Sequence, residues 1–368
     1  MWVDRGWNWG EDNTYMSLDF DYPLYLSPEQ LDALLAKGWF RMRETVFTTH
    51  FYMRDGLLLS TVWLRSVLSR YKFSKSQRKQ LRYLHHRYTI TFSSLHLTPE
   101  HEELYQRYLS IAKGDRAEKL QKILVDLDCL IFNSQQLEVR DPQNNNCLIA
   151  YSIFDIGATS LESITGIYDP TYHEDSLGVY TMMLEVEYAI KQGFLYYYIG
   201  YFTPGFAAFD YKLRLDQVEY YDPDQDAWFD ICSFDNKRLW SSVLINRLHI
   251  VQEYLQQRHI QTKLLLNVHY DTVVLNSLSD TFLEQPVFLD VRFDKNNRLG
   301  LMCYFCLAKR KYILVLADYE SREVRSRRTM DECTHVQSIQ EHRYLVRKTH
   351  FMAEADTPED LFIGVYGV

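Results

Sequence analysis

The amino-acid sequence predicts a mixed α/β protein, α+β in its layout, with a mostly β unit appended at the carboxyl end. Between residues 147 and 201 the apolar pattern reads strand, strand, helix, strand, which is typical of a mixed sheet. Beyond about residue 236, alternating apolar runs follow a single helical stretch. A length of 368 residues exceeds what one hydrophobic core usually supports, so we expect two or three packed units or one bilobal body.

The first 65 residues are aromatic and predict irregular structure around one helix. That helix is expected from Ser27 to Lys37, because Ser27 can cap its first turn, Pro28 suits that turn and Gly38 can end it. We assign residues 1–72 to an N-terminal aromatic-rich subdomain.

The segment from Ser74 to Arg87 is strongly basic and predicts a helix that gathers positive charges on one face. Such a face can contact phosphates, or it can be a solvated helix surface. The residues concerned are Lys75, Arg78, Lys79, Arg82 and Arg87. Further helical spacing is present at 98–112 and 117–124.

The central region predicts a hairpin followed by a helix and a buried strand. Its elements are strands at 147–155 and 161–169 around Gly157, a helix at 176–192 that ends at Gly193, and a strand at 194–201.

After a helical stretch at 238–258, the carboxyl-terminal third predicts four strands and a turn at 295–298. The strands are expected at 262–270, 287–293, 299–307 and 312–318. The arginine-rich run 322–328 is an exposed loop or a second phosphate contact, and we favour the loop. Residues 236–368 form the predicted C-terminal β-rich extension.

The formal net charge of −9 argues against a protein that coats nucleic acid with its whole surface, although a local basic patch stays compatible with it. The amino terminus lacks the apolar core of a signal peptide, and no segment is typical of a membrane span. We therefore expect a cytoplasmic protein with no membrane partner.

The six cysteines are scattered, and an intracellular chain would keep them reduced. They are Cys129, Cys147, Cys232, Cys303, Cys306 and Cys333. Cys303 and Cys306 have a metal-like spacing, but in an alternating strand they would face opposite sides. We therefore expect no metal site.

Familiar catalytic signatures are absent from the sequence, including a Walker-type loop, the dinucleotide-binding glycine pattern, the zinc-protease helix motif and the nucleophile elbow. The chemistry must come from a bound activated substrate or from a family-specific site.

Residues 166–212 carry the most informative motifs. In order they are Tyr168-Asp169-Pro170, Ser176-Leu177-Gly178 with Tyr180, Gly200-Tyr201, and Tyr211-Lys212. Together they resemble, without gaps, the carboxy-terminal domain of the arginyl-tRNA–protein transferase family. Upstream, residues 73–79 look like the family's Ser-x-Ser-Gln-Arg helix start, and residues 35–39 look like its Gly-Trp segment. The resemblance extends from about residue 27 to residue 220.

Two departures from the family pattern stand out. Residues 1–128 contain no cysteine, so the amino-terminal cysteine cluster of the family is missing. Phe206-Ala207-Ala208-Phe209 replaces the usual Ser or Cys followed by Lys-Met. The second departure bears on which aminoacyl group or acceptor is used.

The resemblance implies an acyltransferase fold of the N-acetyltransferase type over residues 73–235. It implies transfer of an amino acid, arginine by family precedent, from charged tRNA to the N-terminal amine of an acceptor protein. Aminoacyl-tRNA would be a co-substrate, and no cofactor is expected.

The resemblance also implies roles for individual residues. We expect catalytic roles for Asp169, Glu185 and Tyr180, with the two carboxylates holding a cationic amino acid or receiving the amine proton. The aminoacyl-tRNA 3′ end would be bound by Tyr168, Ser176, Leu177, Gly178, Tyr201, Tyr211 and Lys212. The acceptor arm would be bound by Lys75, Gln77, Arg78, Lys79 and Arg82.

Two alternatives remain open from the sequence. An N-acetyltransferase that uses acyl-coenzyme A shares the strand–helix–strand arrangement, although residues 173–178 do not supply its pyrophosphate loop. A non-catalytic adaptor of the same fold could instead bind tRNA or a degradation-signal peptide.

Overall fold

The computed structural model describes residues 18–54, 56–112, 117–124, 131–267, 270, 283, 285–294, 299–323, 340–342 and 344–363. Contacts divide the chain into two units. The central unit comprises residues 20–48 and 61–236, and the β-rich unit comprises 49–60 with the described parts of 1–19 and 237–368. The predicted division at 72/73 and 235/236 stays a prediction about domains.

The strands, in chain order, are β1 (Leu18–Asp21), β2 (Phe40–Met42), β3 (Thr45–Thr49), β4 (Phe51–Arg54), β5 (Leu57–Ser60), β6 (Val62–Val67), β7 (Thr89–Ser94), β8 (Ser134–Asp141), β9 (Cys147–Ile156), β10 (Ser160–Tyr168), β11 (Tyr196–Phe202), β12 (Val218–Asp222), β13 (Ala227–Asp230), β14 (Lys263–Asn267), β15 (Val287–Asp294), β16 (Leu299–Cys306), β17 (Lys311–Glu323), β18 (Gln340–His342) and β19 (Tyr344–Ala355). The helices are α1 (Pro28–Ala36), α2 (Lys75–Arg87), α3 (Pro99–Leu109), α4 (Gln121–Leu124), α5 (Leu177–Gln192), α6 (Trp240–Gln256) and α7 (Pro358–Phe362).

An eight-stranded sheet of order β13-β12-β6-β11-β10-β9-β8-β7 organises the central unit. The β10–β11 pair is parallel and is joined by α5, while the neighbouring β9–β10 and β6–β11 pairs are antiparallel. This mixed arrangement confirms the predicted fold class for the region that should carry the transferase site.

Helices cover both faces of this sheet because β9 is apolar on both sides. Phe154 of β9 lies 5.6 Å from the ring of Tyr188 on α5. The neighbouring Ile153 belongs instead to a core cluster with Leu104 and Tyr105 of α3. Successive side chains of a strand point to opposite faces, so α5 and α3 pack on opposite sides.

Local sequence signals explain how these elements begin and end. Ser27 and Gln30 form a capping box at the start of α1, and Pro28 occupies its first turn. Gly193 ends α5 with a left-handed φ of 81°. The hairpin, α5 and β11 therefore lie within two residues of their predicted positions.

The β-rich unit contains a six-stranded sheet of order β18-β14-β15-β16-β17-β19. Helix α6 packs on it at β15 and β16. Leu244, Leu248 and Val251 form its buried stripe at helical spacing. The predicted appended β unit is thereby confirmed.

The prediction of irregular structure for residues 1–65 was wrong, because the described part of this segment contains six strands. Each is only three to six residues long, too short to show a clear alternation. Cys129, Cys333, the 295–298 turn and most of the 322–328 run lie outside the described residues.

Candidate active site

The parallel strands β10 and β11 separate part of the way along their length. They pair at Ser160–Tyr196, Leu161–Tyr197 and Glu162–Tyr198, and no further pair joins these described strands. Each strand carries an irregularity just past this point, between Ser163 and Thr165 in β10 and between Tyr198 and Gly200 in β11. Bulges bend and twist a strand. The two strands therefore diverge beyond Glu162–Tyr198, and we call the region between them the wedge.

The wall of the wedge on the β11 side is aromatic and carries one ammonium group. Lys212 Nζ donates to the Tyr201 carbonyl at 2.6 Å and lies 5.3 Å and 5.5 Å from the ring centroids of Phe209 and Tyr201. Phe206 packs 5.4 Å from Phe209. Gly200, with a φ of 77°, leaves room for the ammonium, because an added Cβ would lie 3.3 Å from Lys212 Nζ.

Tyr211 precedes Lys212 in the turn Ala207–Arg214 and is 37% exposed. The structure therefore brings three predicted substrate-binding residues, Tyr201, Tyr211 and Lys212, to one end of β11. It adds Phe206 and Phe209, which sequence reasoning treated only as a departure from the family pattern.

The end of β10 leads into a turn, Pro170–Asp175, that side chains hold in place. Asp169 accepts from the Thr171 backbone and hydroxyl at 2.9 and 2.7 Å, and from Arg107 Nε at 2.9 Å. Asp175 accepts from Tyr88 and pairs with Arg87 at 3.2 Å. The turn is thus tied to both α3 and α2.

Asp169 is a structural carboxylate in these contacts. Burial raises its pKa, but the hydrogen bonds from Thr171 and the Arg107 guanidinium outweigh burial and hold the pKa of Asp169 below its ordinary value. A group stabilised in its charged form is a weak base near neutral pH.

We expect Asp169→Ala to lower transfer without unfolding the chain. Loss of a cap of this kind costs about 0.5–2 kcal/mol. Because the folded pKa is depressed, the stabilisation is present above the ordinary Asp pKa and is lost as pH falls through the folded value. Turnover of the Ala variant and of Asp169→Asn, which keeps one acceptor oxygen, checks this; unchanged turnover in both would remove Asp169 from the site.

The start of α5 lies at the end of β10, where the wedge is open. Ser176 has a left-handed φ of 52°, and its side chain makes no capping hydrogen bond to α5. Leu177 is fully buried, and Gly178 lies against the Tyr168 ring, 3.0 Å from where a Cβ would be. In the first turn of α5 the Val179 N–H donates to the Ser176 carbonyl at 3.0 Å. The N–H groups ahead of it, at Leu177 and Gly178, can polarise an anionic group.

Tyr180 is fully buried on α5, with its ring 6.0 Å from His85. Its hydroxyl has no hydrogen-bond partner among the described residues, and burial raises its pKa well above the ordinary value. The side chain is buried in the core, and the predicted catalytic role of Tyr180 stays a prediction.

Glu185 faces the sheet from α5 and is 1% exposed. The Tyr197 hydroxyl donates to Glu185 Oε2 at 2.6 Å. Burial raises the pKa of Glu185 to about 7, against the opposing effect of the hydroxyls of Tyr197, Ser152 and Ser163. Of the predicted catalytic residues, Glu185 alone has a pKa suited to proton transfer near neutral pH.

Helix α2 presents the predicted basic face. Ser74 and Gln77 form a capping box at its start, so Gln77 serves the helix itself as well as donating to the Arg214 carbonyl at 3.1 Å. The other four residues predicted to bind the tRNA acceptor arm are exposed, namely Lys75, Arg78, Lys79 and Arg82. No acidic partner is found for these four within the described chain.

A buried ionic cluster that the sequence did not reveal lies under β9 and β10. Arg41 NH1 donates to both oxygens of Asp155 at 2.9 Å, and the Arg41 backbone N–H donates to Glu162 at 2.8 Å. Burial, together with the nearby Asp155 charge, raises the pKa of Glu162 to about 8. The sequence signal that could have revealed the cluster is the presence of Asp155 and Glu162 within otherwise apolar strands.

The described residues show no arrangement of three or more His, Cys, Asp or Glu that could hold a metal ion. No helix in the described ranges is long and apolar enough to cross a membrane.

The diverging parallel strands, the connecting helix and the mixed sheet fit the acyltransferase type of fold that the resemblance implies. Residues 100–222 match the family model described as arginine-tRNA-protein transferase, C terminus. This match supports the resemblance to the arginine-tRNA-protein transferase family over that region.

Curated relatives agree with this family. An aspartate/glutamate leucyltransferase of Ruegeria pomeroyi is 27% identical over 201 residues, covering 52% of this chain and 70% of the relative. The enzyme of the same name from Leptospira interrogans is 25% identical over 159 residues, covering 40% of this chain and 60% of the relative. One of Acinetobacter baumannii is 33% identical over 125 residues, covering 32% and 44%. This chain thus spans less than two thirds of several relatives.

Two solved structures show only faint likeness. L-PGS from Bacillus licheniformis has a TM-score of 0.29 at 13% identity, covering 46% of this chain and 49% of its own. FemX has a TM-score of 0.32 at 10% identity, covering 48% and 60%.

Proposed function

We propose that this chain transfers an amino acid from a charged tRNA to the N-terminal amine of an acceptor protein, with the aminoacyl-adenosine end held in the wedge. The observation that carries this proposal is the separation of β10 from β11 beyond Glu162–Tyr198, with the start of α5 at the open end. The match of residues 100–222 to the transferase family model supports the reaction class.

The turn before α5 favours an adenosine end over coenzyme A. A pyrophosphate needs free backbone N–H groups and cationic side chains. Here Pro170–Asp175 is fixed by Asp169 and Asp175, and the exposed Glu174 adds a third carboxylate. Asp169 and Asp175 are paired with arginines, so it is the Glu174 carboxylate beside the helix start that disfavours a pyrophosphate. The ester of an adenosine ribose carries no such charge.

The chemistry demands positioning more than activation. An aminoacyl ester is already activated, so the protein must hold ester and amine in attack geometry. An N-terminal amine has a pKa of about 7.7–8.0, so a sizeable minority is neutral at pH 7. The first turn of α5 can stabilise the negative charge that develops on the ester oxygen.

The wedge wall favours an apolar donated residue over arginine. Tyr201, Phe206 and Phe209 present aromatic surface, and the Lys212 ammonium lies within that surface. A second cation there would be repelled, whereas leucine would bury apolar area. The relatives' names point to leucine as donor and to acceptors that begin with Asp or Glu. We propose the same for this chain, in place of the arginine implied by the resemblance.

The test is a transfer assay with radiolabelled leucyl-tRNA and arginyl-tRNA and with peptides beginning with Asp, Glu or Ala. We expect label from leucyl-tRNA on the Asp and Glu peptides, with at least about tenfold less from arginyl-tRNA, since one unfavourable charge contact of about 1.4 kcal/mol gives that factor. Preferential arginine transfer would overturn the donor assignment. Binding of tRNA with no transfer from any charged tRNA would favour an adaptor.

A further inference from the structure

A buried carboxyl without a cationic partner lies at the narrow end of the wedge. Glu185 is as inaccessible as Asp155, but Asp155 has Arg41 whereas no Lys, Arg or His in the described chain pairs with Glu185. Its Oε1 also has no hydrogen-bond partner among the described residues. Burying an unpaired carboxylate costs folding free energy. Groups of this kind are common at functional sites.

Tyr197 and Ser163 connect this carboxyl to the wedge. Tyr197 pairs with Leu161, within the last stretch where β10 and β11 remain together. Ser163 is the first residue of β10 beyond that pairing, faces the same side as Phe154 and is half-buried. Its hydroxyl lies beside both Tyr197 and Glu185. Glu185 and Tyr197 are both fully buried, at 1% and 0% exposed, so Ser163 is the accessible member of the three.

The surroundings contain few competing charges. Toward Glu185, β9 presents Ser152, β10 presents Ser163, β11 presents Tyr197, and the turn 207–214 brings Tyr211 near Tyr197. His85 of α2 pairs with Glu187 at 3.5 Å. The Arg41, Asp155 and Glu162 cluster lies on the opposite face of the sheet, since Glu162 directly precedes Ser163 in β10.

We propose that Glu185 and Tyr197 form a proton relay that serves the transfer reaction through Ser163. This inference rests on the proposed function. The neutral acceptor amine attacks the ester carbonyl and forms the C–N bond. The extra amine proton passes to the Ser163 oxygen, the Ser163 proton passes to Tyr197, and the Tyr197 proton passes to Glu185. The ester C–O bond breaks, and the same proton returns along the relay to the departing ribose oxygen.

In this relay Ser163 contacts the substrate, whereas Tyr197 and Glu185 act through it. Tyr197 stays a neutral hydroxyl throughout, because burial and the Glu185 charge raise its pKa well above the ordinary value. Glu185 must begin each cycle ionised. The active form therefore requires two deprotonations, one of the acceptor amine and one of Glu185.

The experiment is the single-turnover transfer rate at subsaturating acceptor, measured against pH for the full chain and for Glu185→Gln, Tyr197→Phe and Ser163→Ala. In the wild type we expect a plot of the logarithm of the rate against pH to have a limiting slope of two at acid pH, because two groups must lose a proton. In each variant the slope should be one, and the rate at neutral pH should be lower by about 10²-fold or more, in line with general-base catalysis.

Tyr151→Phe is the matched control. Tyr151 is as fully buried as Tyr197, and its hydroxyl also donates, to the His101 carbonyl at 3.3 Å, but on the opposite face of the sheet. We expect Tyr151→Phe to keep the slope of two.

Infrared titration of the protein without substrate gives a second readout that needs no turnover. A buried carboxyl should titrate near pH 7, vanish in Glu185→Gln and titrate higher in Tyr197→Phe, because the lost hydrogen bond had stabilised the charged form. Slopes of two in all three variants would overturn the relay while leaving the transferase intact. A wild type that transfers no amino acid from any charged tRNA would overturn both.

Discussion

Reversing the charges of Arg78 and Lys79 to Glu is expected to weaken tRNA binding by at least about tenfold at low salt, and by less as salt increases. Both side chains are exposed on α2, whose only acidic contacts in the described chain are made near its end, by His85 and Arg87. Each phosphate contact releases counterions, so its loss also flattens the salt dependence. Filter binding of tRNA across a salt series measures both effects.

Lys119→Glu with Lys122→Glu is the matched control, because it makes the same change in net charge at two exposed lysines around the short helix α4. We expect this control to bind tRNA nearly as the wild type does. Equal weakening in the two double variants would show that the protein's overall charge, and not the face of α2, governs binding.

Arg41→Met is expected to destabilise the protein by about 3–5 kcal/mol, the cost of leaving a buried charge without its partner. Arg41 and Asp155 are buried, and the guanidinium also donates to Ser134 and to the Leu124 carbonyl. Urea unfolding measures the loss. Transfer activity should fall as well, because Glu162 belongs to the last β10–β11 pair before the wedge.

The loss from Arg41→Met should increase above pH 8. The folded pKa of Glu162, about 8, exceeds its ordinary value, so stability decreases as pH rises from the ordinary value to the folded one. Without Arg41 the folded pKa rises further, and the decrease continues beyond pH 8. Arg140→Met, which breaks pairs with Glu100 and Glu138 at a more accessible site, is the control and should cost about 1 kcal/mol or less. If Arg41→Met lowers the free energy of unfolding no more than Arg140→Met does, Arg41 does not compensate the charge of the buried carboxylates.

The elements around the wedge were predictable because their signals are local. Gly193 marks the end of α5, and apolar runs on either side of Gly157 mark β9 and β10. The resemblance supplied Tyr201, Tyr211 and Lys212, which the fold then gathers at the end of β11. The separation of β10 from β11 was not predictable, since it depends on bulges that only the paired strands reveal.

Long-range partners were the second gap between sequence and structure. Arg41 and Asp155 are 114 positions apart, and no local pattern relates them. Glu185 was predicted as a site residue, but its partner Tyr197 is one of several tyrosines in a Tyr-rich strand. Which tyrosine faces α5 is decided by strand pleating and by the bulge after Tyr198.

Hydrogen exchange in the presence of a non-hydrolysable leucyl-adenosine amide tests most directly whether the wedge holds an aminoacyl-adenosine end. We expect new protection at residues 163–168 of β10, 200–202 of β11 and the first turn of α5, with none from coenzyme A at the same concentration. Protection of these segments by coenzyme A, with no effect of the adenosine amide, would contradict it.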